Sequence, residues 1–444
     1  MIRQVYIPIE VKNRELKSRL LVLYFLLKKG HKCIIGDKAG VYRYMINNPG
    51  GIYYDKSISK NKIAFIKKIK KIARHFVCSD EELGITYNNI ESFFKFRVCL
   101  PTLTETTSFY CCGDRDYNYL IGKYSKQKNK FKLTGSAQFD MIKPGFCEFV
   151  YSDEINKIKL KYGEFVLINS SFGIISEESV RYNTNLALKL KRISKEQYNE
   201  KFDELYERYK GFISFVDLVN KLSKDFPRLK FIIRPHPKEY LKDWSKLVNN
   251  NGNIFVIKEN DVIPWIYASQ VMIHTGCTTA IYANLLKKKI ISYSSKLANS
   301  RNSNLAQSFG FQAKNYSDIK KGLTDLHVHN NELNPSILKV LKISDLEFCS
   351  DSIAEEISNL KTNITKVSFY MKIYYKYLIF LNFISRKKIR YISGESLNDK
   401  IPDGIHIDEI TSFLNNASAF FSNEFKFTIK SIDKNTFKIC KQSR

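Results

Sequence analysis

The sequence predicts an α/β protein of two doubly wound, Rossmann-like halves facing a cleft, followed by a C-terminal extension. Three observations predict it. Short apolar runs alternate with stretches of helical period along most of the chain. The alternation stops at Lys132-Leu133-Thr134-Gly135 and starts again at Phe165-Val166-Leu167-Ile168-Asn169. The length of 444 residues exceeds one ordinary domain. The expected division is 1–155, 160–360 and an extension over 365–444.

In the first half, residues 4–8 read as a strand, and Glu10 to Lys29 carries Leu16, Leu20, Leu21, Leu23, Leu26 and Leu27 at helical spacing. Gly30 ends that helix, and Cys33-Ile34-Ile35-Gly36 is the next strand, a β-α-β opening. Further strands fit Gly51 to Tyr54, His75 to Cys78, and Ser108 to Cys112, with Gly113-Asp114 as turn chemistry before the last strand of this half.

The second half opens with the strand Phe165 to Asn169, then Ser170-Ser171-Phe172-Gly173. A polar helical stretch follows over about 176–224, charged from Lys189 to Lys210, which suits a solvated helix face. Phe231-Ile232-Ile233 is a strand that must end at Arg234-Pro235-His236-Pro237, because each proline lacks a ladder donor. Asn253 to Ile257 and Lys289 to Tyr293 are two more strands. Val271 to His274 is another, and it hands over to Thr275-Gly276-Cys277-Thr278-Thr279 and an amphipathic helix from Ala280 to Leu286.

Beyond about 365, Phe369, Tyr370, Ile373, Tyr374, Tyr377, Leu378, Phe380 and Leu381 interleave with Lys366, Lys372, Lys376 and Arg386-Lys387-Lys388. Such a segment either crosses back onto the first domain or lies against an anionic membrane surface. Residues 424–429 and 436–439 alternate as a hairpin does. The formal charge is +28, from 72 Lys and Arg against 44 Asp and Glu. It favours anionic partners, but no zinc-finger, RRM or homeodomain pattern points to nucleic acid, which is not expected as a partner. Nine cysteines without CxxC or zinc spacing suit a reducing cytoplasm. The N-terminus lacks the apolar core of a signal peptide, and no run of about 20 apolar residues predicts a membrane span.

Chemistry is expected at strand ends. A strand, tight turn and helix start at Gly276, Thr278 and Thr279 suit a phosphate, and Arg234 and His236 end a nearby strand where they can grip the same group. His274 either joins that site or satisfies a backbone group. Asp80-Glu81-Glu82 follows the strand at His75, where it supplies a general base or decorates a helix N-terminus. Glu10, Lys12, Arg14 and Glu15 crowd the first β-α turn, as ligands for an acceptor or as surface pairs.

Several stretches make the chain resemble the bacterial surface-carbohydrate and capsule glycosyltransferases of GT-B fold. They are Pro8 to Leu16, Asp80 to Gly84, Thr134 to Asp140, Ile168 to Gly173, Arg234 to Pro237 and His274 to Ala280. The resemblance implies metal-independent transfer of an acidic sugar, of nonulosonic-acid or Kdo type, from a CMP-activated donor to a glycan or lipid-linked glycan. No cofactor is implied. One of Asp80, Glu81 and Glu82 would be the base, and Glu10 and Arg14 would bind the acceptor. Ser170, Ser171, Arg234, His236, His274, Gly276, Thr278 and Thr279 would bind the donor. The protein would be cytoplasmic, at the inner face of the membrane where it meets lipid-linked acceptors. The chain departs from the family pattern at Leu83, inside the acid-acid-Gly motif, at Tyr282, where a ribose-binding Glu is usual, and at Lys287-Lys288-Lys289, in place of Gly-Lys-Pro. A CDP-polyol transferase, a sugar-nucleotide epimerase and an inactive scaffold subunit are the rival readings.

Overall fold

The structure is a computed structural model that describes residues 3–80, 82, 89–236, 239, 241–248, 251–294, 305–328, 332–344, 346–361, 373, 374, 377, 400, 401, 403–423 and 425–442. The chain forms two compact units. One takes the chain as far as Val150 and again from Leu338 onward; the other takes Tyr151–Ile337.

The first unit is built on β1 (Gln4–Ile9), β2 (Lys32–Asp37), β3 (Ile52–Asp55), β4 (His75–Ser79), β5 (Ser108–Cys111) and β6 (Phe131–Leu133). These strands are parallel in the order β2-β1-β3-β4-β5-β6. β1 and β3 are buried along nearly their whole length, as strands covered on both faces must be. In the second unit, β7 (Phe165–Asn169), β8 (Lys230–Arg234), β9 (Ile254–Val256), β10 (Val271–His274), β11 (Lys289–Tyr293) and β12 (Phe311–Ala313) form a parallel sheet in the order β12-β11-β10-β7-β8-β9. Two parallel-sheet Rossmann-like units are therefore present, as expected. The second sheet has the order 3-2-1-4-5-6 of nucleotide-binding sheets when its strands are counted from β7. β12, three residues long, was not foreseen.

The extension is not a separate body. The hairpin β13 (Phe427–Asp433) and β14 (Thr436–Lys441) lies antiparallel on β2 and lengthens the first sheet to eight strands. Glycines make room for its turn. A Cβ on Gly36 would lie 2.3 Å from the Asn435 carbonyl oxygen, and one on Gly40 1.9 Å from Thr436 Oγ1. The helices Cys349–Asn359 and Ile407–Phe420 pack on the helix Lys12–Lys28, which is why that helix is buried almost all round from Leu16 to Leu27.

The return to the first unit begins at Leu338 rather than near 365. Asp140 holds it there: its carboxylate accepts from Cys349 N–H at 3.0 Å, from Ser350 N–H at 2.7 Å and from the Ser350 hydroxyl at 2.6 Å, capping the helix that follows. Most of the basic aromatic segment lies outside the described residues; Ile373, Tyr374 and Tyr377, which are described, are exposed. Among the described residues no helix is long and apolar enough to cross a membrane. All nine cysteines are free thiols.

The polar stretch after β7 is two helices, Glu177–Lys189 and Tyr198–Asp225. The C-terminal half of the second buries Phe212, Phe215, Val216, Val219 and Leu222 on the sheet. Its N-terminal half packs Leu205 against Ile174 and Val180.

Candidate functional site

In each sheet the strand order reverses beside the first strand, and the loops leaving the two neighbouring strands part there to form a crevice. The second unit's switch point lies between β7 and β10. Ser170 and Ser171 leave β7, while Thr275 and Gly276 leave β10. The Ser171 hydroxyl donates to the Thr275 carbonyl at 2.6 Å, and the Ser171 N–H donates to Thr275 Oγ1 at 3.1 Å, so the two turns are stitched together. Asn169, the last residue of β7, donates to Thr279 Oγ1 at 2.9 Å, and that hydroxyl donates to the Cys277 thiol at 3.2 Å. Thr278 is exposed at the start of the helix Thr279–Leu285. Tyr282 is half-buried on that helix.

The structure brings His236 to the same crevice, through a residue the sequence did not single out. Glu239 is fully buried. Its carboxylate accepts from Gly173 N–H at 2.8 Å, from His236 N–H at 3.2 Å and from the Trp244 indole at 2.9 Å, and it also accepts from the Ser170 hydroxyl. One carboxylate therefore ties the turn after β7 to the turn after β8. A buried carboxylate is tolerable when its lone pairs are filled in this way. Its only signal in the sequence is an acid three residues beyond His236. Arg208, from the long helix, donates to the Phe172 carbonyl at 2.6 Å and braces the same loop.

Two expected donor ligands are occupied elsewhere. Arg234 donates to the carbonyls of Glu259 at 2.6 Å and Asn260 at 2.9 Å, and its guanidinium lies 5.2 Å from the Trp265 ring centroid. It ties β8 to the loop after β9. Burial lowers its pKa to about 10, against the pull of Asp261 and Glu259. His274 is fully buried, and its Nδ1 accepts from Gly276 N–H at 3.1 Å. Burial lowers its pKa to about 4, outweighing the Phe309 backbone beside the ring, so it is a neutral brace for the turn. At His274 the backbone-satisfying alternative is the one realised.

The first unit's switch point lies between β1 and β3. A cavity of about 250 Å³ opens there, lined by Glu10, Val11, Arg14, Lys56, Ser57, Lys62, Glu82 and Arg97. Glu10, Arg14 and Glu82, singled out separately in the sequence, are thus brought into one cavity. Three lysines surround Glu10: Lys38, Lys56 at 3.3 Å and Lys400, from the returning chain, at 3.7 Å. Burial alone would raise the Glu10 pKa, but Lys38 and Lys56 outweigh it and hold the carboxyl well below the usual range.

Behind the wall lie buried acids. Glu15 receives Lys56 at 2.7 Å, Asp55 receives Lys62 at 3.1 Å, and Asp80 takes Arg97 bidentately, with one contact of 2.7 Å. Asp80 also accepts Glu82 N–H at 3.0 Å, and Glu82 itself is well exposed, 3.4 Å from Arg97. Of the three expected base candidates, Asp80 is thus held by an arginine, Glu82 faces the cavity, and Glu81 lies outside the described residues.

No family model and no curated protein matches the chain. Similar solved structures exist. A UDP-GlcNAc 2-epimerase from Neisseria meningitidis, bound to UDP-GlcNAc, is 14% identical with a TM-score of 0.46, over 80% of this chain and all of that one. HepE of Anabaena, in complex with UDP and glucose, is 12% identical with a TM-score of 0.43, over 81% of this chain and all of that one. The wall teichoic acid polymerase TagF is 11% identical with a TM-score of 0.45, over 80% of this chain and 88% of that one. Likenesses this distant bring no residue role and no activity to this chain.

Proposed function

We propose that this chain transfers a sugar from a nucleotide-activated donor, held at the β7/β10 crevice, to a hydroxyl of an acceptor held in the β1/β3 cavity. The observation that supports it is the gathering of Ser171, Thr275, Gly276 and Thr278 at the switch point of a sheet in nucleotide-binding order. The hydroxyls of Thr275 and Thr278 offset a phosphate's charge, and His236, seated through Glu239, adds a donor at the end of β8. Ser170, Ser171 and Thr279, whose hydroxyls already donate within the protein, act by shaping that loop pair.

The sequence resemblance makes the donor a CMP-linked acidic sugar and the acceptor a glycan of a surface polysaccharide. For a lipid-linked acceptor, the protein works at the inner face of the cytoplasmic membrane. In the reaction the acceptor oxygen bonds to the anomeric carbon. The bond from that carbon to the phosphate oxygen breaks, and its electron pair leaves with CMP. A carboxylate takes the hydroxyl proton; Glu82 is the base candidate that lines the cavity.

Thermal-shift titration of the full chain with CMP, CDP, UDP and GDP tests the nucleotide. Stabilisation by CMP, with turnover of a CMP-sugar that His236→Ala abolishes, is expected. Turnover of CDP-glycerol in its place would overturn the sugar-transfer reading.

A further inference from the structure

We infer that the β1/β3 cavity takes a sugar bearing a negative charge, a sugar acid or a sugar phosphate, and that Lys56, Lys62, Arg97 and Arg14 select it. The inference rests on the acceptor role proposed above and specifies what the acceptor must carry.

Four cations and two carboxylates line the cavity. None of the four is a loose surface side chain: Arg14 lies 3.5 Å from Glu15. Glu15, Asp55 and Asp80, each almost fully buried, hold Lys56, Lys62 and Arg97 respectively. A lysine ammonium has three donors and a guanidinium five, so one buried carboxylate fixes the head and leaves donors for a ligand. Fixing the heads beforehand removes the entropy that a mobile lysine loses on binding. The buried acids are therefore positioning residues for the wall.

The carboxylates on the wall say what else the ligand carries. Glu82 is exposed and suits a hydroxyl. Glu10, caged by Lys38, Lys56 and Lys400, keeps its negative charge and accepts from hydroxyls too. A ligand that fits both is polyhydroxylic as well as anionic. About 250 Å³ has room for one sugar ring rather than a chain, so only the terminal sugar enters. Lys400 arrives from the segment that Lys12 anchors, through its N–H to the Lys400 carbonyl at 2.9 Å and its ammonium to the Gly404 carbonyl at 2.7 Å. The returning chain thus reaches Glu10 on the wall.

Isothermal titration of the full chain with glucuronate, glucose phosphate and glucose, with CMP titrated in parallel, tests this. Binding of either charged sugar, weakened as salt rises from about 0.05 to about 0.5 M, with no binding of glucose, is expected. Glucuronate alone would identify the charge as a carboxylate, and glucose phosphate alone as a phosphate; both support the inference. Lys62→Met should weaken the anion about tenfold, the loss of one charged hydrogen bond. Because that change strands Asp55, Arg14→Met, at an exposed guanidinium, is the second variant and should weaken it in the same direction. Glucose binding as well as the anions, or anion binding indifferent to both variants, would overturn the inference. Loss of CMP binding alone would sink the donor reading and leave this one standing.

Discussion

The two units place their crevices at the same point of a doubly wound sheet and build them from opposite materials. In the second unit, the turns after β7, β8 and β10 are stitched by hydroxyls, backbone amides and one buried carboxylate, Glu239. In the first, the loops after β1, β3 and β4 are held by ion pairs between buried acids and half-exposed bases. Sheet topology fixes where a ligand site forms, and the side chains decide what it tolerates. A hydroxyl-and-amide crevice keeps its geometry as salt changes. A wall of partly buried ion pairs is specific for charge.

The sharpest way to break the contrast is Glu239→Ala. It strands Ser170, Gly173, His236 and Trp244 donors in a buried site, and should cost about 4 kcal/mol in urea unfolding. A loss below about 1 kcal/mol would mean that Glu239 does not hold the two turns together.

Asp80→Asn and Glu82→Gln sharpen the other side. Breaking the Asp80–Arg97 pair should cost about 3 kcal/mol and raise acceptor KM more than it lowers kcat, as befits a positioning residue. Glu82→Gln should leave the Tm nearly unchanged and cut kcat roughly a hundredfold or more. The reverse pattern would make Asp80 the base.

His274 gives the second unit a pH dependence. Its folded-state pKa of about 4 lies below the unfolded 6.5, so the unfolded chain takes the proton first. Its contribution is whole above about pH 6.5 and declines as pH falls, by about 3 kcal/mol near pH 4. Unfolding curves of His274→Gln should lose that part of the slope; an unchanged slope would show that the ring is not buried neutral.

The smallest effect tests a departure seen in the sequence. Lys287 stands where related turns carry Gly, and it adopts φ 52°. Lys288 N–H reaches the Ala283 carbonyl and Lys287 N–H the Asn284 carbonyl, a helix stop that favours glycine. Lys287→Gly should therefore stabilise by about 0.5–1 kcal/mol, read as a rise in Tm. A fall in Tm would mean that the lysine side chain itself contributes there.

Much of the fold was legible because parallel strands announce themselves as apolar runs, and the hydroxyl turn at Thr275 to Thr279 follows such a run. The C-terminal hairpin was legible too, and a return onto the first domain was one of two readings, but where it docks was not. Its pairing with β2 depends on Gly36 and Gly40 leaving space for residues some 400 positions away, which no local pattern records. Phe311–Ala313 is too short to stand out as a strand. At the sites, Glu10, Arg14 and Glu82 could be named but not joined, and Lys56, Lys62 and Arg97 sit in no motif, because what places them is their buried acidic partners. His274 had the right chemistry for a phosphate, but a backbone amide claims its ring, and two backbone carbonyls share Arg234.

The most direct test of the central claim is CMP binding to the full chain and to Thr278→Val, an exposed position at the start of its helix. The account predicts one CMP per chain for the parent, and binding weakened about tenfold in the variant by loss of one hydrogen bond to a charged group, with Tm unchanged. No CMP binding by the parent, or equal binding by both proteins, would contradict it.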